Sequence, residues 1–198
     1  MICLVMKALI LLGTLKTSGL SNTETLSMFF KDKLQSHNVD CELIKLVNYR
    51  IFPGTYSYMG DGDEWPLVLE KVLNADIIVF ATPIWWGNHS SEIQKVIERL
   101  DHLHDEILEG KKSRLAGKAG GILVTGDSDG AQHVIANIAN FFNAVGITLP
   151  PFASLSVLSE LQKKGAKTTE AELLELYEKQ YASTADTMIK QFLASTKP

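Results

Sequence analysis

The chain has 198 residues, of which 45% are hydrophobic and 21% are charged, and its formal net charge is −4 at pH 7. This composition is that of a soluble globular protein, and the length suits one domain over residues 1–198. Binding to nucleic acid or to an anionic membrane requires clustered Lys and Arg, which a mildly acidic chain does not favour. No apolar run in the sequence approaches the roughly 20 residues of a transmembrane helix.

The two cysteines, Cys3 and Cys41, are too few for a disulfide framework or a four-thiolate metal site. Both lie in apolar runs that resemble strands, so we expect buried free thiols in a reducing cytoplasm. The N-terminal segment is apolar, but Lys7 interrupts it and it lacks the basic region and cleavage site of a signal peptide. We therefore expect a cytoplasmic protein, with residues 1–5 as an upstream extension if Met6 is the true start.

Short aliphatic runs alternate with segments whose apolar residues recur at helical spacing. The runs predict strands at 7–12, 40–47, 77–81 and 119–125, and a fifth strand region that begins at 147–149, is bent by two prolines and resumes at 153–157. Helices are predicted at 21–36, 64–73, 90–104, 131–145 and 169–193, the last with a capping box at its start. Residues 48–63 form a long irregular insertion.

This alternation predicts a parallel sheet covered by helices on both faces. Five strands and five helices in this length indicate an α/β fold, the flavodoxin-like doubly wound three-layer sandwich with strand order 2-1-3-4-5. A response-regulator-type domain shares this order, but it requires acidic residues at the end of the first strand. The sequence has Gly13 and Thr14 at that position.

The loop after the first strand, residues 13–23, is rich in hydroxyl groups. Hydroxyls and free backbone N–H groups at a helix N-terminus form a cradle for phosphate. The loop has neither the Gly-Lys-Ser/Thr ending of a Walker A motif nor the G-x-G-x-x-G dinucleotide fingerprint. It therefore suits the phosphate of flavin mononucleotide (FMN). The alternative is an ordinary helix cap, provided by Ser21 or Asn22.

The loop after the third strand contains two adjacent tryptophans, Trp85 and Trp86. Pro83 stiffens the exit from the strand, and Gly87 permits a close approach of the backbone to a ligand. An indole can cover a flat conjugated ring, and adjacent side chains usually point in different directions. We therefore expect one tryptophan to face the ligand. The alternative is that both pack in the core or at a dimer interface.

The loop after the fourth strand, residues 125–130, is polar and contains two glycines. It is suited to hydrogen bonds with the pyrimidine edge of a flavin, or it is a simple turn with Asp129 as the helix cap.

The same loop also contains a literal G-x-S-x-G, the nucleophile elbow of hydrolases, with Ser128 as nucleophile. A hydrolase requires an acid and then a histidine later in the chain, and His133 alone follows, so this is a remote alternative.

Three motifs together resemble the flavodoxin-like NAD(P)H-dependent FMN reductases: G-T-x7-N-T at 13–23, A-D-I-I-V-F-A-T-P-I-W-W-G at 75–87 and I-E-R-L at 97–100. The resemblance covers about residues 6–150, and it is near the branch that includes the iron–sulfur flavoproteins. Those proteins place a cysteine cluster after the second strand. Residues 47–63 contain no cysteine, so we expect no cluster and no other metal site.

The resemblance implies a site residue set in three parts. The FMN phosphate is expected at Thr14, Ser21, Asn22 and Thr23, with Thr17 and Ser18 nearby. The loop that covers the flavin is expected to comprise Thr82, Pro83, Ile84, Trp85, Trp86 and Gly87. Contacts with the isoalloxazine are expected from Thr125, Gly126 and Asp127.

We therefore expect an FMN-binding oxidoreductase that takes a hydride from NADH or NADPH and passes electrons to a small acceptor, such as a quinone, a flavin, or a nitro or azo compound. Hydride transfer requires no side-chain acid or base, and His89 is the candidate for a polar contact with substrate. The family resemblance implies a homodimer. The main alternative is a flavodoxin-type electron carrier, although carriers favour stronger acidic patches than this chain has.

Overall fold

The computed structural model describes residues 5–126, 129–163 and 165–196. Within them, strands and α-helices alternate from end to end. The strands are β1 (Lys7–Leu12), β2 (Asp40–Lys45), β3 (Ile77–Pro83), β4 (Ala119–Gly126) and β5 (Ser154–Leu158). The helices are α1 (Asn22–Ser36), α2 (Trp65–Asn74), α3 (Ser91–Leu108), α4 (Ala131–Val145) and α5 (Glu170–Ser195). Short 3₁₀ turns follow β2 at Leu46–Asn48 and β5 at Glu160–Gln162.

The five described strands form one parallel sheet in the order β2-β1-β3-β4-β5. Helices α1 and α5 pack against one face of the sheet, and α2, α3 and α4 pack against the other. Because both faces are covered, the central strands are apolar along nearly their whole length and almost fully buried. The predicted flavodoxin-like doubly wound sandwich is confirmed. All five strands end at the same edge, where the three loops singled out above lie together.

The structure corrects several predicted boundaries. The second strand ends at Lys45, because residues 46–48 turn into a 3₁₀ helix. Helix α3 continues to Leu108, four residues beyond the predicted end. Residues 147–149 contribute only an isolated bridge between Thr148 and Ala119. Two prolines follow, which cannot donate to a strand ladder, so the fifth strand begins only at Ser154.

The insertion, residues 48–63, is fastened to α3 by one buried ion pair. The Arg99 guanidinium donates to both carboxylate oxygens of Asp63, at 2.6 and 3.1 Å, and both side chains are fully buried. Arg99 also donates to the carbonyls of Phe52 and Tyr56. These contacts account for the order of a segment that has no strand or α-helix.

The structure describes one of the two cysteines, Cys41, and not the other, Cys3. Cys41 lies in β2 and is buried beneath α1, as predicted. Cys3 lies outside the described residues. Across the described ranges, no helix is long and apolar enough to cross a membrane.

Candidate functional site

A cavity of about 310 Å³ lies at the carboxyl ends of β1, β3 and β4. This is the edge at which open α/β sheets bind their ligands, and the volume is at the small end of the range for organic ligands. The lining residues are Thr14, Leu15, Lys16, Ser21, Asn22, Thr23, Pro83, Ile84, Trp85, Thr125, Gly126 and Gln162. All three loops that were singled out in the sequence therefore contribute to one site.

One end of the cavity consists of hydroxyl groups at the N-terminus of α1. Ser21 caps the helix by accepting a hydrogen bond from the N–H of Glu24, and its hydroxyl lies 2.8 Å from that of Thr14. The first N–H groups of a helix have no partner within the helix. The N–H groups of Asn22 and Thr23 are two of these unpaired groups. Ser21 can therefore cap the helix while the same helix start binds an anion.

Lys16 adds a positive charge to this end of the cavity. Its side chain lines the cavity and donates to the carbonyl of Leu20 across the loop. Together with the positive end of the α1 dipole, this ammonium group favours an anion. The predicted neighbours Thr17 and Ser18 lie on the exposed outer part of the loop and do not line the cavity.

The tryptophan loop is a tight turn. Trp85 and Asn88 exchange both backbone hydrogen bonds, at 2.8 and 2.9 Å, around Trp86 and Gly87. The φ angles of these two central residues are +49° and +77°, as in a type I′ turn. Gly87 is therefore required by the turn, and a side chain as large as that of Trp86 is unusual at such a position.

The two indoles have different environments, as adjacent residues were expected to have. Trp85 lines the cavity and is 44% exposed. Trp86 is 97% exposed and does not line the cavity. Neither indole packs in the core, which removes one of the structural alternatives for the pair.

Thr82 ties the start of the loop to α3, whereas His89 faces away from the cavity. The buried hydroxyl of Thr82 accepts a hydrogen bond from the N–H of Ser90, the N-cap of α3, at 2.9 Å. His89 is half-buried, with Nε2 2.7 Å from Oε1 of Gln94. It lines a separate groove between α3 and α4 rather than the cavity. The proposed contact of His89 with substrate stays a prediction.

The third part of the site is the end of β4. The hydroxyl of Thr125 lies 2.7 Å from that of Thr23, and the N–H of Gly126 donates to Oε1 of Gln162. Asp127 lies outside the described residues, as does Ser128. Helix α4 begins after Gly130, which takes the N-cap position that the simple-turn alternative assigned to Asp129.

The second and third loops also pack against each other. A Cβ atom added at Gly130 would lie 2.9 Å from the Cα of Gly87, and the φ angle of Gly130 is +104°. Both the conformation and the close approach therefore require glycine there. This contact brings the tryptophan turn next to the start of α4.

Three lining residues were missed by the sequence reasoning. Leu15 and Lys16 belong to the predicted phosphate loop, residues 13–23, but neither has the hydroxyl group that marks the other predicted members. Gln162 lies in the 3₁₀ turn after β5, where no local motif marks it. Its polar side chain is nevertheless almost completely buried, and it bonds residues from three different elements.

The alternative chemistries have little support in the described part of the chain. His133, the histidine that a hydrolase would need, lies on the surface with Nε2 3.1 Å from the amide of Asn137 on the same helix. No group of three or more His, Cys, Asp or Glu side chains among the described residues is arranged to hold a metal ion.

The chain is similar to several known proteins. A crystal structure of RosB, with the bound intermediate 8-demethyl-8-formylriboflavin-5'-phosphate, superposes with a TM-score of 0.79 at 25% identity and covers 96% of this chain and 79% of the other. A Streptomyces davaonensis protein named 8-demethyl-8-aminoriboflavin-5'-phosphate synthase is 31% identical over 160 residues, which are 75% of this chain and 62% of that protein.

A Mycobacterium bovis protein named divalent metal cation transporter MntH is 34% identical over 160 residues, which are 78% of this chain but only 23% of that protein. The chain thus spans less than two thirds of the length of these two curated relatives. The sequence profile of the NADPH-dependent FMN reductase family matches residues 6–160, which contain both the phosphate loop and the tryptophan turn. The chain therefore belongs to the NADPH-dependent FMN reductase family.

Proposed function

We propose that this chain is an FMN-dependent oxidoreductase that takes a hydride from NADH or NADPH and passes electrons to a small acceptor. The observation that carries the proposal is the composition of one cavity. Hydroxyl groups and a helix N-terminus line one end, and Trp85 and the end of β4 line the other. Family membership supports the same assignment.

The first end of the cavity has the chemistry that the phosphate of FMN requires. Thr14 and Ser21 offer hydroxyls, the start of α1 offers N–H groups, and Lys16 offers a positive charge. Hydrogen bonds with the oxygens of a dianion are short and strong when the donors are fixed in advance. Ser21 and Thr14 are held in place in advance, because both are buried and their hydroxyls are bonded to each other, and this bond leaves one hydroxyl proton of the pair for the ligand.

The second end has the chemistry that a flat conjugated ring requires. Pro83 and Ile84 present apolar surface, and Trp85 presents an aromatic surface of fixed position at the rim of the turn. This end is closed by the backbone of Thr125 and Gly126, and not by charged side chains. An aromatic ring bound there would bury apolar surface and could stack on the indole of Trp85.

Among the described residues that line the cavity, none carries a carboxyl, imidazole, thiol or phenol group that could act as a general acid or base. Lys16 is the one ionisable residue among the described residues that line it. Bound FMN would supply two-electron chemistry between NAD(P)H and the acceptor. The protein would then bind the phosphate, orient the ring and limit access of water, and none of these tasks needs proton transfer by a side chain.

The proposal extends to the electron acceptor and to the oligomeric state. A quinone, a free flavin, or a nitro or azo compound is planar and conjugated, which suits an opening beside two exposed indoles. A homodimer would cover Trp86, whose indole is too exposed to be explained by the packing of one copy.

The test is an absorption spectrum of the purified protein after FMN is added and the excess removed, followed by anaerobic addition of NADH or NADPH. We expect flavin bands near one equivalent that bleach rapidly with the nicotinamide. A flavin that stays bound and oxidised would instead indicate an electron carrier. A protein that retains no flavin would contradict the proposal.

A further inference from the structure

Gln162 connects two other walls of the cavity through its side chain and backbone. It lies in the 3₁₀ turn Glu160–Gln162 after β5, and it is 7% exposed. Its side-chain oxygen accepts from the N–H of Gly126 at 3.1 Å, and its backbone carbonyl accepts from the side-chain amide of Asn22 at 3.0 Å. Gly126 and Asn22 both line the cavity, the first at the end of β4 and the second at the start of α1.

The network continues into α5. The side-chain nitrogen of Gln162 donates to the hydroxyl of Tyr177 at 2.9 Å, and that hydroxyl donates to the backbone carbonyl of Asn22 at 3.3 Å. Tyr177 is fully buried, and burial raises the pKa of its phenol to about 12, although the hydrogen bond from Gln162 opposes the rise. The phenol therefore stays protonated and keeps its donor at physiological pH.

The direction of every hydrogen bond in this network is determined. A backbone N–H can only donate, so the oxygen of the Gln162 amide must face Gly126 and the nitrogen must face Tyr177. The phenol accepts from that nitrogen and has its own proton left for Asn22. A network in which each buried group has a partner rigidifies the elements that it joins.

We propose that Gln162 is a positioning residue that, with Tyr177, fixes the start of α1 against the end of β4 and so holds these two walls of the cavity in place for FMN. The inference rests on the proposed function. Binding is tighter when the site is organised before the ligand arrives, because less order has to be created on binding. Both residues lie beyond residues 6–160, the part of the chain that matches the family profile, so the profile does not assign them.

The experiment measures the FMN dissociation constant, the flavin absorption spectrum and the midpoint potential of wild type, Gln162→Leu and Tyr177→Phe. Gln162→Leu leaves the N–H of Gly126 without a partner and removes the donor to the phenol oxygen, so we expect FMN affinity to fall about 10-fold to 100-fold. Tyr177→Phe keeps the bond to Gly126, so we expect a fall of about 3-fold to 10-fold. Gln180→Leu, an exposed site on α5, is the matched control and should bind FMN as wild type does.

The midpoint potential separates positioning from simple structural support, because Gln162→Leu removes an acceptor from the wall of the cavity itself. We expect the potential and the visible bands to shift in that variant. Unchanged affinity, spectrum and potential in both variants, with or without a lower melting temperature, would overturn the inference while leaving the proposed function intact. If Gln162→Leu fails to fold, Tyr177→Phe decides by the same criteria. A wild type that binds no FMN would overturn both proposals.

Discussion

The hydroxyl of Thr23, in the first turn of α1, lies 2.7 Å from the hydroxyl of Thr125, near the end of β4, across 102 residues of sequence. Both side chains are buried, and both residues line the cavity. The contact joins the phosphate loop directly to the strand that carries the third loop. With the Gln162 network, it is the second polar link between these two walls.

Replacement of Thr23 by Val should weaken FMN binding about 10-fold, because it removes one hydroxyl from the cavity and leaves that of Thr125 without its partner. The free energy of unfolding of the apoprotein should fall by only about 1–2 kcal/mol, since Val preserves the shape. Titration of FMN by fluorescence and urea unfolding measure the two effects. Thr184→Val, at an exposed position on α5, is the control. Wild-type affinity in Thr23→Val would remove Thr23 from the site.

The tryptophan turn predicts opposite outcomes for its two indoles. Trp85→Ala should shift the visible spectrum or the fluorescence of bound flavin, because Trp85 lines the cavity. Trp86→Asn should raise the free energy of unfolding by about 1 kcal/mol, since Asn tolerates a positive φ better than Trp does. If Trp86 contacts the electron acceptor, Trp86→Asn should turn over the acceptor more slowly despite its higher stability. If Trp86 contacts a second subunit, the same variant should dimerise less.

The experiment compares urea unfolding, flavin spectra and sedimentation for wild type and the two variants. A spectral change in Trp86→Asn and none in Trp85→Ala would show that the two indoles have been assigned the wrong way round. A loss of stability in Trp86→Asn would mean that the indole makes a contact that offsets its unfavourable backbone conformation.

Much of this architecture was predictable because it depends on local patterns. Helical spacing and aliphatic runs placed the described strands and helices within four residues, apart from the start of the fifth strand, and the alternation of the two indicated the sheet order. The hydroxyl-rich loop was recognisable because its hydroxyl groups all lie within residues 13–23, and the tryptophan loop because two adjacent tryptophans are rare. Each of these signals lies within a short segment.

Gln162 and the ion pair of Asp63 with Arg99 were not predictable for the opposite reason. The partners of Gln162 include Asn22, which is 140 residues away, and those of Arg99 lie in an insertion with no periodic pattern. A single Gln or Arg in a polar segment is usually solvated, so no local property distinguishes these two. Only the packing of distant segments determines that they are buried.

Cys41 should be unreactive in the native protein. Burial raises the pKa of its thiol to about 12, and the nearby charge of Lys31 only partly opposes that rise. Because the thiolate is the reactive form, a Cys3→Ser variant should react with a disulfide reagent at pH 8 at least about 100-fold more slowly when folded than in denaturant. Absorbance of the released thiol measures both rates. Rapid reaction of the folded variant would indicate that β2 opens at the edge of the sheet.

Asp63 should make the stability of the fold fall at low pH. Burial alone would raise its pKa, but the hydrogen bonds from Arg99 and from the backbone N–H groups of Phe52, Trp65 and Met59 outweigh that effect and lower the pKa from 3.8 to about 2. The folded state therefore binds this proton less readily than the unfolded state. The stabilisation is fully present above about pH 4 and is lost as the pH falls towards 2.

Asp63→Asn tests this directly, because the amide cannot ionise. At pH 7 the variant should be about 3–5 kcal/mol less stable than wild type, since it leaves the buried guanidinium of Arg99 without its counter-ion. Between pH 5 and pH 2, its urea midpoint should fall less than that of wild type. Asp32→Asn, at an exposed position on α1, should follow the wild-type curve. Parallel curves for wild type and Asp63→Asn would show that Asp63 titrates alike in the folded and unfolded states, and that the ion pair does not hold its carboxylate charged.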